Sequence, residues 1–395
     1  MHNRQLFLRH VAQTSDAPLL LEITHADGCW LYDTAGKKYL DLISGIAVSN
    51  TGHGHPAVKA AIHEQAEKYL HLMVYGEFVQ SPQVQYARWL TDRLPASLDS
   101  VYFVNSGSEA TEGAIKLAKR VTGRTEIVSF RNAYHGSTMG ALSAGNTEER
   151  KNPFRPLIPD NRVLDYLHTD QLQQITEHTA AALVEPIQSE AGVIIPDDRY
   201  LKALRDRCTE TGTLLMFDEC QTAFGRTGSL FRFQATGVIP DVLLLGKAIG
   251  GGLPLGAFIA RKEMMHTFTH QPVLGHITTF GGHPLCCAAG LAAAQVLEED
   301  GLIASAEQKG ALFSALLSGH PRLGSFRRCG LMMAAELPDM DTNLAMVKKL
   351  LDHGILIDWF LFAPNCLRIA PPLTITSEEI THACRFILEE LNALK

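Results

Sequence analysis

The stretch Leu243-Leu244-Leu245-Gly246-Lys247-Ala248-Ile249-Gly250-Gly251-Gly252 carries an apolar run to a single lysine at the edge of a glycine-rich turn. A short apolar run bounded in this way suits a buried strand, and glycines let backbone approach a ligand closely. A lysine at such a strand end is partly desolvated, and a desolvated amine is nucleophilic near neutral pH. Its characteristic chemistry is Schiff-base formation with a carbonyl. Two plainer readings stand beside this one. The lysine is a solvated strand end, or the mostly apolar span Val242 to Ala260 is a membrane helix. Lys247 in its middle, three consecutive glycines and Pro254 argue against the helix. The case for amine chemistry then rests on what the rest of the chain supplies.

The chain has 395 residues, 46% of them hydrophobic, enough for a large core and for two domains. A formal charge of -7 and a pI near 6.2 leave no electrostatic footprint for nucleic acid. None of the eight cysteines forms a CxxC pair, which fits reduced core cysteines of an intracellular enzyme better than a disulfide framework. The N-terminus Met1-His2-Asn3-Arg4-Gln5 is polar with no secretory apolar core behind it, so the expected location is cytoplasmic, with no membrane partner.

Cys29 to Asp33 and Lys38 to Leu42 alternate around Thr34-Ala35-Gly36-Lys37, which predicts a hairpin. Gly52-His53-Gly54-His55-Pro56 offers two histidines but no neighbouring carboxylate or cysteine, so a structural turn is expected and no metal. Pro56 then opens a helix to about Leu70. Ser100 to Val104 reads as a strand, followed by the turn Asn105-Ser106-Gly107-Ser108 and a helix from Glu109 to Arg120. Small hydroxyl and glycine residues at a helix start can bind an anion through free N–H groups; the plainer reading is a serine N-cap. Glu126 to Phe130 is a strand that delivers Tyr134-His135-Gly136-Ser137 into a loop. Three further strands end at Glu185, Asp218 and Lys247, at a spacing of about 30 residues that suits a parallel sheet with helical crossovers. Ligands of such sheets bind outside the carboxyl ends of the strands, so the three side chains share one rim. Leu255 to Ala260 is a further strand, and a helix from Pro284 to Glu299 follows the turn Thr278-Thr279-Phe280-Gly281-Gly282. The remainder reads as a second α+β unit. There, Arg368 lies inside an apolar strand, either in a salt bridge or as a carboxylate clamp.

In order along the chain, Ser106-Gly107-Ser108-Glu109-Ala110, Tyr134-His135-Gly136, Glu185-Pro186-Ile187-Gln188-Ser189-Glu190, Phe217-Asp218-Glu219-Cys220-Gln221-Thr222, Gly225-Arg226-Thr227-Gly228, Gly246-Lys247, Thr279-Phe280-Gly281-Gly282 and Arg368 before Pro371-Pro372 form a specific set. On this set the chain resembles the class III (ornithine, acetylornithine and ω-amino acid) aminotransferases, which use pyridoxal 5′-phosphate (PLP). The resemblance implies an α/β fold of PLP fold type I: a mostly parallel central sheet flanked by helices, with a smaller α+β domain. On this reading residues 1–50 form an arm and part of the small domain, 51–299 the PLP-binding domain and 300–395 the C-terminal small domain. It also implies that Lys247 carries PLP and shuttles a proton, that Asp218 pairs with the pyridine nitrogen, and that Tyr134 stacks on the ring beside His135. Ser106, Gly107 and Ser108 would hold the phosphate, with Thr279 reaching it from the partner of a homodimer that shares its active sites. Gln221 would contact the 3′ oxygen. Glu190 and Arg368 resemble the family's dual-substrate switch, which implies 2-oxoglutarate as acceptor.

Two departures concern the substrate. Ser137 follows the His-Gly pair where relatives generally carry an arginine for a substrate carboxylate, and Ile46 stands where ornithine aminotransferases place a tyrosine. Ornithine itself is therefore disfavoured, and Arg131 is a candidate substitute for the missing cation. The expected activity is ping-pong transfer of an amino group from an ω-amino or N-acyl-diamino acid to 2-oxoglutarate. Alternatives on the same fold are an aminomutase, a dialkylglycine-type decarboxylase and a protein without catalysis. The switch pair disfavours the mutase, and retention of Lys247 with Asp218 disfavours the last.

Overall fold

A computed structural model describes residues 2–145 and 147–394. Strands β1 (Ile23–Asp27), β2 (Trp30–Asp33) and β3 (Lys38–Asp41) form an antiparallel meander, with the turn Thr34 to Lys37 inside the expected hairpin. The central sheet has seven strands: β4 (Ser100–Val104), β5 (Glu126–Phe130), β6 (Asn161–Leu164), β7 (Thr179–Val184), β8 (Leu214–Asp218), β9 (Val242–Leu245) and β10 (Gly256–Ala260). Their order is β4-β10-β9-β8-β7-β5-β6; only β10 runs antiparallel to its neighbours, so the sheet is mostly parallel, as expected. A third sheet joins β11 (Phe326–Cys329), β12 (Met332–Glu336), β14 (Asp358–Trp359) and β15 (Cys366–Ile369), while β13 (Ile355–Leu356) runs back to pair in parallel with β3.

The central strands read as unbroken apolar runs because helices cover both faces. Leu243 and Leu245 pack into one core and Val242 and Leu244 into the other, so the pleat of one tetrapeptide feeds both. Every residue of β7, β9 and β10 is buried. The helix Gly107–Thr122 lies on one face through Ala110, Ala114, Leu117 and Ala118, and Gly113 brings it against the Phe258 ring. It starts with the Ser106 hydroxyl accepting the Glu109 N–H at 3.2 Å and ends at the left-handed Gly123. The helix Pro284–Glu299 packs on the opposite side, where Gly290 lets it sit against the carbonyl of Ile249, two residues beyond Lys247.

The Gly52-to-His55 motif is a structural turn, but His53 does have a carboxylate partner. Its Nε2 lies 2.8 Å from Oδ2 of Asp41, twelve residues earlier and brought close by β3. The expectation of no acidic neighbour is corrected, because closeness in the fold is not closeness in the chain. Among the described residues no three His, Cys, Asp or Glu side chains converge as metal ligands. The other Asp41 oxygen accepts the N–H groups of Ile43 and Ser44, both at 2.8 Å. These bonds brace a turn in which Ser44, Gly45, Ile46 and Ala47 all have left-handed φ, from 44° to 64°. Such geometry costs non-glycine residues about 1–2 kcal/mol each, so it persists only where the surroundings over-determine it. Arg226, fully buried in the Gly225-to-Gly228 loop, supplies part of that: it donates to Ser44 Oγ at 3.2 Å, Asn50 Oδ1 at 2.6 Å and the Leu331 carbonyl at 3.1 Å.

A methyl group at Gly290 would fall on the Ile249 carbonyl, which already accepts a 2.8 Å bond from Tyr86, and on the Tyr86 ring. Gly290→Ala is therefore expected to cost about 1–3 kcal/mol of stability by overpacking. Urea denaturation of the variant against the parent checks this, and an unchanged midpoint would show that the turn behind Lys247 yields freely.

Candidate active site

The parallel register of β7, β8 and β9 puts Glu185, Asp218 and Lys247 at three adjacent carboxyl ends. Asp218 and Lys247 open onto one cavity of about 490 Å³. Its walls also contain Ile46, Ser106, Gly107, Ser108, Tyr134, His135, Gly136, Glu190, Gln221 and Arg368. Residues separated by more than three hundred positions thus meet at one place. Lys247 begins a single 3₁₀ turn with a left-handed φ of 53°. A non-glycine residue in that region is a strain that the packed turn sustains.

Asp218 is buried, and its Oδ2 lies 2.8 Å from Nδ1 of His135 while Oδ1 accepts the Cys220 N–H at 3.0 Å. Burial alone would raise its carboxyl. The hydrogen bond and charge of His135, together with the Cys220 N–H, outweigh that and hold it below the ordinary carboxylate range. His135 is itself held by Thr111, whose hydroxyl donates to the His135 carbonyl at 3.0 Å.

Glu185 lies behind the wall. Its two oxygens accept the N–H groups of Tyr134 and Ser189, each at 3.0 Å, so it fixes the loop that carries Tyr134 and the loop that leads to Glu190. Burial, reinforced by the nearby Asp218 charge and opposed by His135, pushes its carboxyl up to about 7.

On the far side Arg368 is gripped by Glu190 through two bonds, Nη1 to Oε1 at 2.7 Å and Nη2 to Oε2 at 2.9 Å. Both side chains are almost fully buried. Burial would raise the Glu190 carboxyl, but the Arg368 charge and the bonds from Arg368, Gln221 and the Leu361 N–H hold it low. Gln221 donates to Glu190 Oε1 at 2.9 Å, so its amide already serves this pair.

Not every expected residue reaches the cavity. Ser137 is exposed, with its hydroxyl 3.2 Å from that of Tyr134. Thr279 is exposed and outside the cavity of its own chain. Arg131 lies on the surface, paired with Asp165 at 2.5 Å. Conversely, Cys220, Asp358, Trp359 and Leu361 line the cavity without having been singled out. The Asp358 carboxylate sits 3.0 Å from Nε of Arg368. Burial raises its carboxyl to about 6, with Arg368 acting against the rise and Glu190 adding to it. A lone acid between Ile357 and Trp359 was the available signal: an aspartate inside an apolar strand needs a partner on the next strand.

The donor set suits PLP. A methyl group at Gly107 would lie 2.8 Å from the Cys220 sulfur, so only glycine fits at this helix start. The first N–H groups of the helix Gly107–Thr122 have no partner inside it and face the cavity with the positive end of the helix dipole. A buried carboxylate and an amine from adjacent strand ends complete the set, and the volume falls within the usual range of small-molecule sites.

The raised Glu185 carboxyl has a consequence for stability. Below about pH 4.5 it is protonated in both folded and unfolded chains; between there and about 7 only the folded chain keeps the proton. Its contribution to stability is therefore lost as pH rises through that window. The unfolding free energy of the parent minus that of Glu185→Gln should fall by on the order of 2 kcal/mol between pH 5 and pH 8. Urea titrations at the two pH values measure it, and a difference independent of pH would refute the raised carboxyl.

The fold and the site have counterparts among known proteins. The family profile described as aminotransferase class III matches residues 11–391. An acetylornithine aminotransferase from Methanopyrus kandleri is 40% identical over 371 residues, spanning 93% of this chain and 93% of the relative. The solved ornithine aminotransferase of Toxoplasma gondii is 31% identical with a TM-score of 0.91, covering 100% of this chain and 96% of that one. A PLP-bound amine transaminase from an uncultivated Pseudomonas species is 28% identical with a TM-score of 0.90 and 98% coverage of both chains. With matches along nearly its whole length, on a sheet whose strand ends bring an amine and a carboxylate to one cavity, the chain belongs to the class III aminotransferases, the PLP-dependent transaminases.

Proposed function

We propose that the enzyme moves an amino group from an ω-amino or N-acyl-diamino acid, of which acetylornithine is the type, to 2-oxoglutarate by a ping-pong mechanism. The observation that carries this reading is the single cavity with Lys247 and Asp218 on one side and the Glu190–Arg368 pair on the other. Bound PLP supplies an aldehyde that accepts the amine and a ring that takes up the electrons released at the substrate Cα. Lys247 would hold the cofactor and, once a substrate amine frees it, would be the base that takes the proton from the substrate Cα. Asp218 stands where the pyridine nitrogen would be held protonated, with His135 and the Cys220 N–H keeping the carboxylate ionised. Tyr134 would cover the ring, and Ser106, Gly107 and Ser108 would hold the phosphate at the helix start.

Two substrates must share the pocket. For an amine donor, Glu190 neutralises Arg368, since an unpaired buried guanidinium is very costly. For 2-oxoglutarate, Glu190 gives way and Arg368 takes the α-carboxylate in the same two-point geometry. Ile46 lines the cavity and the exposed Ser137 brings no cation to it, so the carboxylate of an N-acyl-diamino acid donor would be met by another group. Exposed apolar side chains at Ile277 and Phe280, which flank Thr279 in the chain, support a homodimer in which Thr279 reaches the partner's phosphate. The eight unpaired cysteines support a cytoplasmic location, and no described helix is long and apolar enough to cross a membrane.

Adding N-acetylornithine to the PLP-loaded enzyme should abolish the aldehyde absorbance, and 2-oxoglutarate should restore it. Release of CO₂ would reassign the enzyme as a decarboxylase, and failure of 2-oxoglutarate to restore the colour would overturn the acceptor. Lys247→Ala should bind cofactor that borohydride cannot fix to the chain; covalent label on that variant, seen by mass spectrometry, would refute Lys247 as the carrier.

A further inference from the structure

Arg368 is held by two carboxylates, and they are anchored differently. Glu190 follows β7 in a loop and grips both Nη atoms, at 2.7 and 2.9 Å. Asp358 lies on β14 directly opposite Arg368 on β15, as its antiparallel register partner. It touches the other edge of the guanidinium, with Oδ1 3.0 Å from Nε. The contact is one of charge, because neither atom is aligned for a hydrogen bond. β14 and the residue that follows it supply two further restraints: the Trp359 carbonyl accepts from Nη2 at 2.8 Å, and the Phe360 ring lies under the guanidinium carbon at 4.6 Å.

These positions divide the labour between the two acids. A carboxylate that must leave has to sit on the edge the substrate will use, where a turn of its side chain frees both Nη atoms. One that must stay has to sit on the opposite edge and on backbone tied to that of the arginine. Glu190 meets the first description and Asp358 the second. We propose that Asp358 is a positioning residue. It holds Arg368 by Nε, with both Nη atoms turned to the cavity, during the interval in which Glu190 has withdrawn and an incoming substrate carboxylate takes its place. The inference rests on the acceptor reading given above and extends it to a residue outside the family's sequence motifs noted above.

The two acids on one arginine then have opposite effects on a bound dicarboxylate. Glu190 competes with it, and Asp358 prepares its seat. Simple repulsion predicts otherwise, since any nearby carboxylate would weaken the binding of another. The probe is glutarate, which has the spacing of 2-oxoglutarate and no oxo group to react, titrated calorimetrically into the PLP-loaded enzyme. Glu190→Gln is expected to lower its Kd. Asp358→Ala is expected to raise it by about tenfold, through loss of preorganised geometry. Asp358→Asn, which keeps the shape and an oxygen beside Nε, should raise it less but by more than about threefold, and carries the test if the alanine variant does not fold. In both Asp358 variants the KM for 2-oxoglutarate should follow the glutarate Kd, while the rate at saturating acceptor changes less. An Asp358 variant that binds glutarate more tightly, or within twofold of the parent, overturns the positioning role alone. A parent enzyme that neither binds glutarate nor reacts with 2-oxoglutarate overturns the acceptor reading, and this inference with it.

Discussion

A buried carboxylate that stays ionised must be met by protons and dipoles from the protein, and Asp218 imposes that demand on the elements around it. It is answered from three directions: by His135 on the loop after β5, by the Cys220 N–H just beyond β8, and by a place at a strand end where the chain turns away and leaves space. Each answer draws in more structure. His135 is kept in place through Thr111 on the helix that also offers its N-terminus to the cavity. Glu185, one strand over, shows how local the compensation is. It is equally buried but has no histidine in direct contact, and its carboxyl rises to about 7 while that of Asp218 stays low. Two acids on one rim thus take opposite charge habits, one suited to face a cationic ring and the other to hold backbone.

The opposite wall is built on the same principle with the sign reversed. Arg368 is a buried cation, and leaving it without any carboxylate would cost several kcal/mol, on the order seen for buried ion pairs. The third sheet solves this by pairing Asp358 and Arg368 across adjacent strands and letting Glu190 complete the set from the large sheet. The cavity therefore lies between two rigid frames, joined by side chains that neither frame satisfies alone.

Arg226 belongs to that junction. It is fully buried, with no carboxylate in contact among the described residues, and burial lowers its guanidinium to about 9 against a pull from Asp41. Backbone carbonyls, Ser44 and Asn50 solvate it instead. The left-handed turn 44–47 is thus strapped to the Gly225-to-Gly228 loop and to the C-terminal strands, and this places Ile46 in the wall of the cavity. An unusual backbone here is sustained by a buried cation that needs those oxygens as much as the turn needs its donors.

Strands such as β6 and β14 were not singled out, while the elements read from the chain were legible because each is specified by bonds within a few residues. Examples are the Ser106 cap and Gly123 stop of one helix, Pro56 and Pro284 at the starts of two others, and the unbroken apolar run of β9. The rim was legible too, since a polar residue after a fully apolar strand has nowhere else to go. What the chain order concealed was partnership: His53 with Asp41, Gln221 with Glu190, Arg226 with Ser44, Asp358 with Arg368. The sequence alone determined the parallel sheet, the strand ends and the family, because apolar periodicity, caps and glycine positions act locally. Only the tertiary structure decided which charge answers which, because compensation of a buried charge acts over a few ångströms of space and is indifferent to the number of residues between.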